Sequence, residues 1–423
     1  MKVLIVGGGG REHAIAVKIA ENPKVTKLFA APGNGGMARL CQCVDLKATD
    51  VEGIVSFARA NAIDFVVVAP DDPLCLGMVD ALDAAGIRAF GPVKAAAQIE
   101  GSKVFAKDLM KKYGIPTAAY ETFDSCEEAL AYLAGAKYPI VVKADGLALG
   151  KGVLICEDED AARGAVTDMM LGGKFGASGA RVVIEEFLTG PEVSVLAFTD
   201  GNVVRPMVSS MDHKRALDGD QGLNTGGMGT IAPNPFYTPE VAARCMEEIF
   251  LPTMRAMNAE GRTFRGCLYF GLMITAEGPK VIEYNCRFGD PETQVVLPLL
   301  ESDLLTIMEA TAEGRLADVD VRFSEDAACC VVLASGGYPV SYRSGYPIQG
   351  LESAGEEAFV FHAGTRLEDG RLVTAGGRVL GVTATADTLQ NAVQKAYAAA
   401  DHIAFCDLHR RGDIGQRALS AQA

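Results

Sequence analysis

The sequence predicts a multidomain protein that combines α/β and α+β architecture. The chain has 423 residues, which at roughly 150 residues per domain corresponds to about three domains. Strand-like and helix-like segments alternate over residues 1–100, a pattern typical of a doubly wound parallel sheet. Longer strands joined by hairpin turns follow between residues 193 and 290. From about residue 326 the pattern is mixed again, and we expect a small third domain there.

The first 100 residues contain four predicted strands, which are short apolar runs at residues 3–6, 28–30, 65–68 and 87–90. The third run is continuously apolar, as expected for a parallel strand that is buried on both faces. Helical spacing covers residues 11–20, and Thr49 with Glu52 predicts a capping box that begins a helix ending near Ala60. Such sheets bind ligands beyond the carboxyl ends of their strands.

The middle of the chain has one early helix and two hairpins. Residues 102–113 have helical character and are followed by Gly114. Predicted strands cover residues 140–143 and 181–186, and predicted hairpins pair residues 193–199 with 203–209 and residues 268–275 with 281–285. A helix is predicted between these hairpins, over residues 239–259.

Charge and composition exclude several classes of protein. The net charge of -15 is the opposite of the basic surface that nucleic-acid binding requires. No apolar run reaches the roughly 18 residues of a membrane span, so we expect no membrane association and a cytoplasmic location. The eleven cysteines are scattered and form no CxxC pair, which indicates core residues in a reducing compartment.

Four glycines, Gly7 to Gly10, follow the first predicted strand. They do not form the dinucleotide pattern G-x-G-x-x-G, because Glu12 stands where Gly7 and Gly9 require a third glycine. Free N–H groups at the start of a helix can still bind an anion, and Arg11 can add a bidentate phosphate contact. The alternative is a plain tight turn between strand and helix.

A second glycine-rich loop, residues 145–152, follows the predicted strand that contains Lys143. It is not a phosphate loop of the G-x-x-x-x-G-K-[ST] type, because only three residues separate Gly146 from Gly150 and no Ser or Thr follows Lys151. Such a loop can nevertheless close over a triphosphate, with Lys143 and Lys103 directed at phosphate oxygens. Taken singly, each lysine is more often a solvated surface group, and the combination with the loop makes the prediction more specific.

Polar residues alternate along the last predicted strand of the second hairpin. Period two places Val281, Glu283, Asn285 and Arg287 on one face, with Ile282, Tyr284 and Cys286 on the other. Carboxylate and amide oxygens suit Mg²⁺, a guanidinium suits phosphate, and two more carboxylates follow at residues 290 and 292. A solvent-facing polar strand is the alternative.

One loop region concentrates groups that can bind carboxylate or phosphate. It contains Asp212-His213-Lys214-Arg215 and the glycine-rich segment 224–229. His213 lies among cations there, which favours a functional role over a structural one. No Ser-His-Asp order and no H-E-x-x-H motif accompany it, so hydrolase and metalloprotease functions lack a motif.

Over nearly its whole length the chain resembles the phosphoribosylamine–glycine ligase family of the ATP-grasp superfamily. The matching stretches are residues 9–14, 31–34, 100–103, 143–148, 150–153, 185–188, 212–215, 224–229, 283–294, 362–365, 376–379 and 413–415. The resemblance implies an N-terminal Rossmann-like substrate domain at residues 1–100. An ATP-grasp domain of two α+β subdomains follows at residues 101–325, with a lid at about 119–190, and a C-terminal α/β domain at residues 326–423.

The activity that the resemblance implies is an ATP-dependent ligation of glycine to 5-phosphoribosylamine. Glycyl phosphate is the implied intermediate, Mg²⁺ or Mn²⁺ the implied metal, and glycinamide ribonucleotide, ADP and phosphate the implied products, in a step of purine biosynthesis. A monomer without nucleic-acid or membrane partners is expected.

The resemblance also implies roles for particular residues. Those implied for ATP are Lys103, Lys143, Gly150, Lys151, Glu185, Glu186, Phe187, Leu188 and Glu192, and those for the metal are Glu283 and Asn285. Arg287, Lys214 and Asp212 are implied in catalysis. The implied substrate residues are Gly9, Gly10, Arg11, Glu12, Pro32, Gly33, Asn34, Asp71, His213, Asn224, Gly226, Gly227, Asp290, Pro291, Glu292 and Thr293.

Some positions depart from the family's pattern. Ala69 and Asp71 replace the usual glycine and glutamate near the expected sugar site, and Leu223 replaces a proline. Residues 268–273 supply no acid, so only two protein ligands for the metal are expected. Two other hypotheses stay open: a related ATP-grasp enzyme that activates another acid, such as formate or bicarbonate, and an inactive ATP-binding relative.

Overall fold

The computed structural model describes residues 1–147, 152–173 and 176–422. Gly150 and Lys151, which the sequence assigns to ATP, lie outside these residues. None of the helices within the described ranges is long and apolar enough to cross a membrane.

The N-terminal region is a parallel sheet of five strands: β1 (Lys2–Gly7), β2 (Lys27–Pro32), β3 (Gln42–Cys43), β4 (Phe65–Val68) and β5 (Arg88–Phe90). Its helices are α1 (Gly10–Ala20), α2 (Val51–Ala60), α3 (Asp71–Leu76) and α4 (Met78–Ala84). The strand order is β3-β2-β1-β4-β5. The chain therefore leaves β1 and β4 in opposite directions along the sheet, and the crevice at their carboxyl ends is where such sheets bind ligands.

The prediction of a capping box at Thr49 is wrong by one residue. Asp50 is the N-cap of α2, and its carboxylate accepts the backbone N–H of Gly53 at 2.9 Å. Aspartate is as good an N-cap as threonine, because its oxygen satisfies one of the unpaired N–H groups of the first turn.

Two helices and a small sheet follow. The helices are α5 (Lys94–Gly101) and α6 (Lys103–Tyr113), and Ser102 caps the second of them. The small sheet is antiparallel, in the order β6-β9-β7-β8, and its strands are β6 (Tyr120–Phe123), β7 (Ile140–Ala144), β8 (Val153–Cys156) and β9 (Val182–Glu186). Helices α7 (Cys126–Leu133) and α8 (Glu159–Met170) pack on it and enclose a separate apolar core.

The next segment contributes to three sheets. Its strands are β10 (Glu192–Thr199), β11 (Val204–Pro206), β12 (Met211–Asp212), β13 (Arg215–Leu217), β14 (Gln221–Asn224), β15 (Gly229–Ala232), β16 (Gly266–Thr275) and β17 (Gly278–Asn285). Four of them form an antiparallel sheet in the order β11-β10-β16-β17, and β13 pairs with β14. The helix predicted over residues 239–259 is α9 (Pro239–Arg244) and α10 (Leu251–Ala259), joined by a π-helical turn, Cys245–Phe250.

The C-terminal sheet incorporates two strands from the middle of the chain. Its order is β12-β15-β18-β22-β19, with β23 paired to β18. Its other strands are β18 (Ala327–Ser335), β19 (Phe359–His362), β22 (Arg378–Ala386) and β23 (Leu408–His409). β20 (Thr365–Glu368) and β21 (Arg371–Thr374) form a separate two-stranded sheet. The remaining helices are α11 (Thr293–Val296), α12 (Leu304–Glu313), α13 (Leu351–Glu357), α14 (Leu389–Asp401) and α15 (Gln416–Gln422). Short 3₁₀ turns lie at Met37–Arg39, Gly176–Ala180, Asp218–Asp220, Leu297–Leu299 and Leu316–Asp318.

Candidate active site

A β-bulge orients the polar end of β17. Gly271 pairs with Glu283 but Leu272 pairs with Val281, so Ile282 is an extra residue on β17. The predicted alternation is therefore wrong at Val281, which is fully buried in the same core cluster as Tyr284. From Glu283 onward the alternation holds, and the Asn285 side-chain oxygen accepts a hydrogen bond from Arg287 at 3.2 Å.

Glu283 is an ionised carboxylate that no protein donor satisfies within the described residues. Burial alone would raise its pKa, but four cations together hold the pKa below its usual value: Lys214, Lys143, Lys103 and Arg287. Gly271 lies directly beneath its stem, since a β-carbon there would approach the Glu283 Cγ to 3.0 Å. The Glu283 carboxylate is thus a negatively charged oxygen ligand that lies beside several cations.

Two buried lysines share one carboxylate opposite β17. Lys143 Nζ lies 3.0 Å from Glu185 Oε2 and donates to the Ile282 carbonyl at 3.1 Å. Lys107 Nζ lies 3.2 Å from the same Glu185 oxygen and donates to Thr117 at 2.7 Å. Burial lowers the pKa of Lys107 to about 8, although Glu185 opposes the shift.

The other oxygen of Glu185, Oε1, is buried without a hydrogen-bond partner within the described ranges. Sequence analysis missed Lys107, although its spacing of four residues from Lys103 places both on one face of α6.

The start of the second glycine-rich loop is bound to the start of α6. Asp145 accepts hydrogen bonds from Ser102 at 3.0 Å and from the Val104 N–H at 3.2 Å. Arg181 donates to the same carboxylate at 2.7 Å, and Lys103 Nζ donates to the Gly146 carbonyl at 2.7 Å. Lys103 therefore lies at the base of the loop, as the sequence suggests, with its pKa lowered by burial.

The segment after β9 joins the small sheet to the larger one. Glu186 exchanges backbone and side-chain hydrogen bonds with Ala119, and Lys280 Nζ lies 3.6 Å from its carboxylate. Phe187 and Glu192 are solvent-exposed, and Leu188 is half-buried. This part of the expected ATP site therefore offers backbone groups and accessible side chains between two sheets.

The N-terminus of α1 is less open than the sequence suggests. The Gly9 N–H donates to Glu12 Oε2 at 2.6 Å, and the Arg11 N–H donates to Asp290 Oδ2 at 3.2 Å. The Arg11 guanidinium is buried and donates to Glu12 and to the Phe288 carbonyl. Carboxylates thus already satisfy part of the anion site expected at Gly9, Gly10 and Arg11.

The carboxyl end of β2 packs tightly against the first glycine run. Asn34 donates to the carbonyls of Gly8 at 2.9 Å and of His362 at 2.8 Å. A β-carbon on Gly8 would lie 2.3 Å from the Gly33 carbonyl oxygen, so no side chain fits there. Pro32 is exposed at this edge and Gly33 has a φ of +74°. The side-chain amide of Asn34 therefore binds the first glycine run to the end of β19.

Arg287 connects β17 with the N-terminal sheet. It donates to Glu100 at 2.9 Å and lies 3.5 Å from Asp71 Oδ2, at the start of α3. Glu100 is buried and also accepts the Cys286 N–H at 2.7 Å. Glu100 lies in the family-like stretch 100–103, but no role for it was predicted from the sequence.

A second acidic and basic cluster lies around Lys214. Its Nζ is 2.6 Å from Asp212 Oδ2. Burial opposes its charge, but Asp212 holds the pKa of Lys214 above the usual value. Glu292 is buried nearby, and burial together with the Asp212 charge raises its pKa to about 7. These groups can hold both the ammonium and the carboxylate of a small amino acid.

Two predicted substrate residues have structural contacts instead. His213 is buried, its Nδ1 lies 3.3 Å from the Gly229 carbonyl and its Nε2 accepts the Gly415 N–H at 3.2 Å. Thr293 is fully buried and donates to the Gly289 carbonyl. Hydrogen bonds within the chain thus occupy both side chains. Asn224 is exposed at the end of β14.

The glycine-rich segment after Asn224 contacts the turn at Asp290-Pro291. Gly226 donates to the Tyr338 hydroxyl at 3.0 Å and accepts from Arg378 at 2.7 Å. Asp290 and Arg378 form an ion pair at 3.3 Å. Arg378 lies in the family-like stretch 376–379, and nothing in the spacing of this residue predicted the contact.

Two sheets flank the buried lysines Lys107 and Lys143, and a Glu-x-Asn pair lies on the strand opposite, β17. This arrangement defines a protein of the ATP-grasp class. Models of the phosphoribosylglycinamide synthetase N domain, ATP-grasp (A) domain and C domain match residues 1–100, 101–293 and 328–417. The chain belongs to the phosphoribosylglycinamide synthetase family.

Relatives that match over their full length include two phosphoribosylamine–glycine ligases. The chain is 51% identical to the phosphoribosylamine–glycine ligase of Pasteurella multocida, over 100% of this chain and 99% of that one. It is also 51% identical to the ligase of Allochromatium vinosum, with 100% of both chains covered. The crystal structure of the Thermotoga maritima ligase matches with a TM-score of 0.87 at 36% identity, covering 98% of this chain and 100% of that one.

The fold is shared more widely. Biotin carboxylase from Campylobacter jejuni matches with a TM-score of 0.75 at 15% identity, over 97% of this chain and 92% of that one. At that identity the similarity concerns the fold alone.

Proposed function

We propose that this chain ligates glycine to 5-phosphoribosylamine at the expense of ATP, and so produces glycinamide ribonucleotide for purine biosynthesis. The observation that carries the proposal is Glu283, an ionised carboxylate without a protein partner among the described residues that faces four cations. Relatives with this name match the chain over its full length. We further propose that the enzyme is a cytoplasmic monomer.

ATP would lie between the small sheet and the β11-β10-β16-β17 sheet. Lys143 and Lys103 supply charge for the phosphates, and Glu192 is accessible for the ribose hydroxyls. The unpartnered Glu185 Oε1 suits an amino group such as that of adenine, because a buried acceptor without a donor is costly. From the sequence alone we add Gly150 and Lys151 as the loop above the phosphates.

The metal would be held by Glu283 and Asn285. No cluster of three or more His, Cys, Asp or Glu side chains able to hold a metal occurs within the described ranges. That fits Mg²⁺ or Mn²⁺, which in phosphate-transfer sites take one or two protein oxygens and complete their shell with substrate phosphates and water. When bound, the ion neutralises charge on the triphosphate.

The chain's own residues then serve acyl transfer. The glycine carboxylate attacks the γ-phosphorus and ADP leaves, which gives glycyl phosphate. The amine of phosphoribosylamine attacks the acyl carbon, loses a proton, and phosphate leaves. Arg287 would stabilise the oxyanion that forms on attack, as preorganised donors do in acyl transfer. Asp212 and Glu292 would hold the glycine ammonium, and Lys214 its carboxylate.

The sugar phosphate would bind at the carboxyl edge of the parallel sheet. Asp71, which begins α3 just after β4, would contact the ribose hydroxyls. The backbone groups of Gly9, Gly10 and residues 32–34 follow β1 and β2 and would line the same edge. The Arg11 and Glu12 side chains would fix this edge rather than contact the sugar, because they are bonded to each other at 2.6 Å.

A single assay tests the proposal. Phosphate release and radiolabelled glycine incorporation are measured with ATP, glycine and freshly prepared phosphoribosylamine, and each is omitted in turn. We expect product only when all three are present. Turnover with formate or bicarbonate instead of glycine would favour a related ligase, and absence of turnover with any acid would favour an inactive relative.

A further inference from the structure

Arg378 contacts two loops of the site from the C-terminal sheet. It begins β22, and its Nη1 donates to the Gly226 and Asp290 carbonyls, each at 2.7 Å. Its Nη2 lies 3.3 Å from the Asp290 carboxylate. One planar guanidinium therefore holds two peptide segments at a fixed separation, which a lysine, as a point charge, cannot reproduce.

The two loops come close only because glycines are present. A β-carbon on Gly226 would lie 3.0 Å from the guanidinium carbon of Arg378. One on Gly227 would lie 2.5 Å from Pro291 Cδ, and Gly227 has a φ of +116°. The glycines of this segment are thus explained by contact with Arg378 and Pro291.

The turn that Arg378 holds is also bound from the N-terminal region. Asp290 accepts from Gln294 at 2.9 Å and from the Arg11 N–H at 3.2 Å. Burial would raise the pKa of Asp290, but Arg378 and then Arg11 hold it below the usual value. The carboxylate is therefore ionised, and Arg378 is the contribution of the C-terminal sheet to this turn.

Glu292 follows the turn directly, and the proposed function places Glu292 beside glycine. We propose that Arg378 is a positioning residue for the glycine and sugar-amine side of the active site, acting through Gly226 and the Asp290-Pro291-Glu292 turn. This inference rests on the proposed function. The acceptors of Arg378 are the carbonyls of Gly226, Gly227 and Asp290. The proposed function assigns none of these residues to ATP, so ATP binding should be independent of Arg378.

The test compares Arg378→Lys and Arg378→Gln with the control Arg371→Gln, which removes an exposed arginine from β21, a strand of the separate β20-β21 sheet. Steady-state constants are measured for each substrate, and ADP binding is measured by fluorescence titration. We expect roughly a tenfold or greater rise in KM for glycine, a lower kcat and unchanged ADP affinity, because small misplacements of reacting groups are costly. Arg378→Lys should recover little of the loss.

A second variant approaches the same contact from the other side. Gly226→Ala keeps Arg378 but adds a methyl group 3.0 Å from its guanidinium carbon. It should produce the same rise in KM for glycine, and combining it with Arg378→Gln should add little further effect, since both changes disturb one contact. This variant keeps the test decisive if Arg378→Gln folds poorly.

Three results would overturn the inference while leaving the function intact. Normal constants in both Arg378 variants would show that the contact is dispensable. An equal loss of ADP affinity would indicate general structural damage. A rise in KM for phosphoribosylamine alone, with recovery in Arg378→Lys, would indicate direct phosphate binding. Failure of the unmodified chain to form product would instead contradict the proposed function.

Discussion

The guanidinium of Arg287 lies 2.9 Å from the carboxylate of Glu100, and Glu100 accepts the N–H of Cys286 with its other oxygen. Glu100 thus orients both the Cys286 backbone and the Arg287 side chain, just after the end of β17. If Arg287 stabilises the oxyanion of acyl transfer, its orientation by Glu100 should be visible in the rate.

Replacing Glu100 tests this relationship. Glu100→Gln keeps an acceptor for the Cys286 N–H but removes the charge that attracts Arg287. We expect kcat to fall by about tenfold or more while KM for ATP changes little, because misorientation affects the transition state most. Glu100→Ala is the comparison, since it also leaves the N–H unpaired and should lower the melting temperature further. An unchanged kcat in Glu100→Gln would contradict the orienting role.

Asp71 is the second partner of Arg287, at 3.5 Å. Asp71→Ala should raise KM for phosphoribosylamine and leave the constants for ATP and glycine nearly unchanged, because this residue belongs to the N-terminal edge. Its exposed neighbour supplies a matched control, Asp72→Ala. A shift in KM for ATP, or in none of the constants, would mean that this loop does not line the sugar site.

Glu283 offers a direct test of the metal assignment. Glu283→Gln removes one charge from a half-buried carboxylate that has no protein partner among the described residues, so the protein should remain folded. Most turnover should be lost at ordinary magnesium, and raising the magnesium concentration should restore part of it, since metal affinity is weakened. Turnover is measured across a magnesium titration alongside thermal unfolding. Comparable turnover in variant and parent at low magnesium would refute the assignment.

Glu292 should make stability depend on pH. Its ordinary pKa near 4.5 is raised to about 7 by burial and by Asp212. Between these values the folded protein binds more protons than the unfolded chain, so this group's contribution to stability is lost as pH rises through 7. The loss is on the order of 3 kcal/mol, from 1.36 kcal/mol per pKa unit.

Denaturant unfolding of Glu292→Gln and the parent between pH 5 and 8 measures this effect. The variant should lack this part of the decline and should be relatively more stable at pH 8. If the free energies of unfolding of variant and parent changed with pH in parallel over the whole range, the pKa of Glu292 would not be raised in the folded protein.

Much of the fold follows from sequence pattern because the signals are local. Apolar runs and turn residues predicted four of the five strands of the parallel sheet and both hairpins, and those segments form the corresponding elements. The two-residue strand β3 (Gln42–Cys43) was missed, because so short a segment carries no pattern. The bulge at Ile282 was not predictable, because it arises from the pairing of Gly271 with Glu283 across two strands.

Residues whose role depends on a long-range ion pair were not predicted from the sequence. Each of three such residues is paired with a residue far along the chain: Lys107 with Glu185, Glu100 with Arg287, and Arg378 with Asp290. Conversely, His213 looked functional beside two cations, but its ring satisfies backbone groups of Gly229 and Gly415. Sequence spacing shows which groups are present and leaves open which of them face each other.

The membership of β12 and β15 in the C-terminal sheet has a consequence for how the chain matures on the ribosome. Residues 211–232 emerge well before residues 327–335, against which β15 pairs. Until then the strand presents unpaired backbone groups, a state that is prone to association with other nascent chains. The middle of the protein therefore cannot reach its final form until residues 327–335, which lie in the last quarter of the chain, have been synthesised.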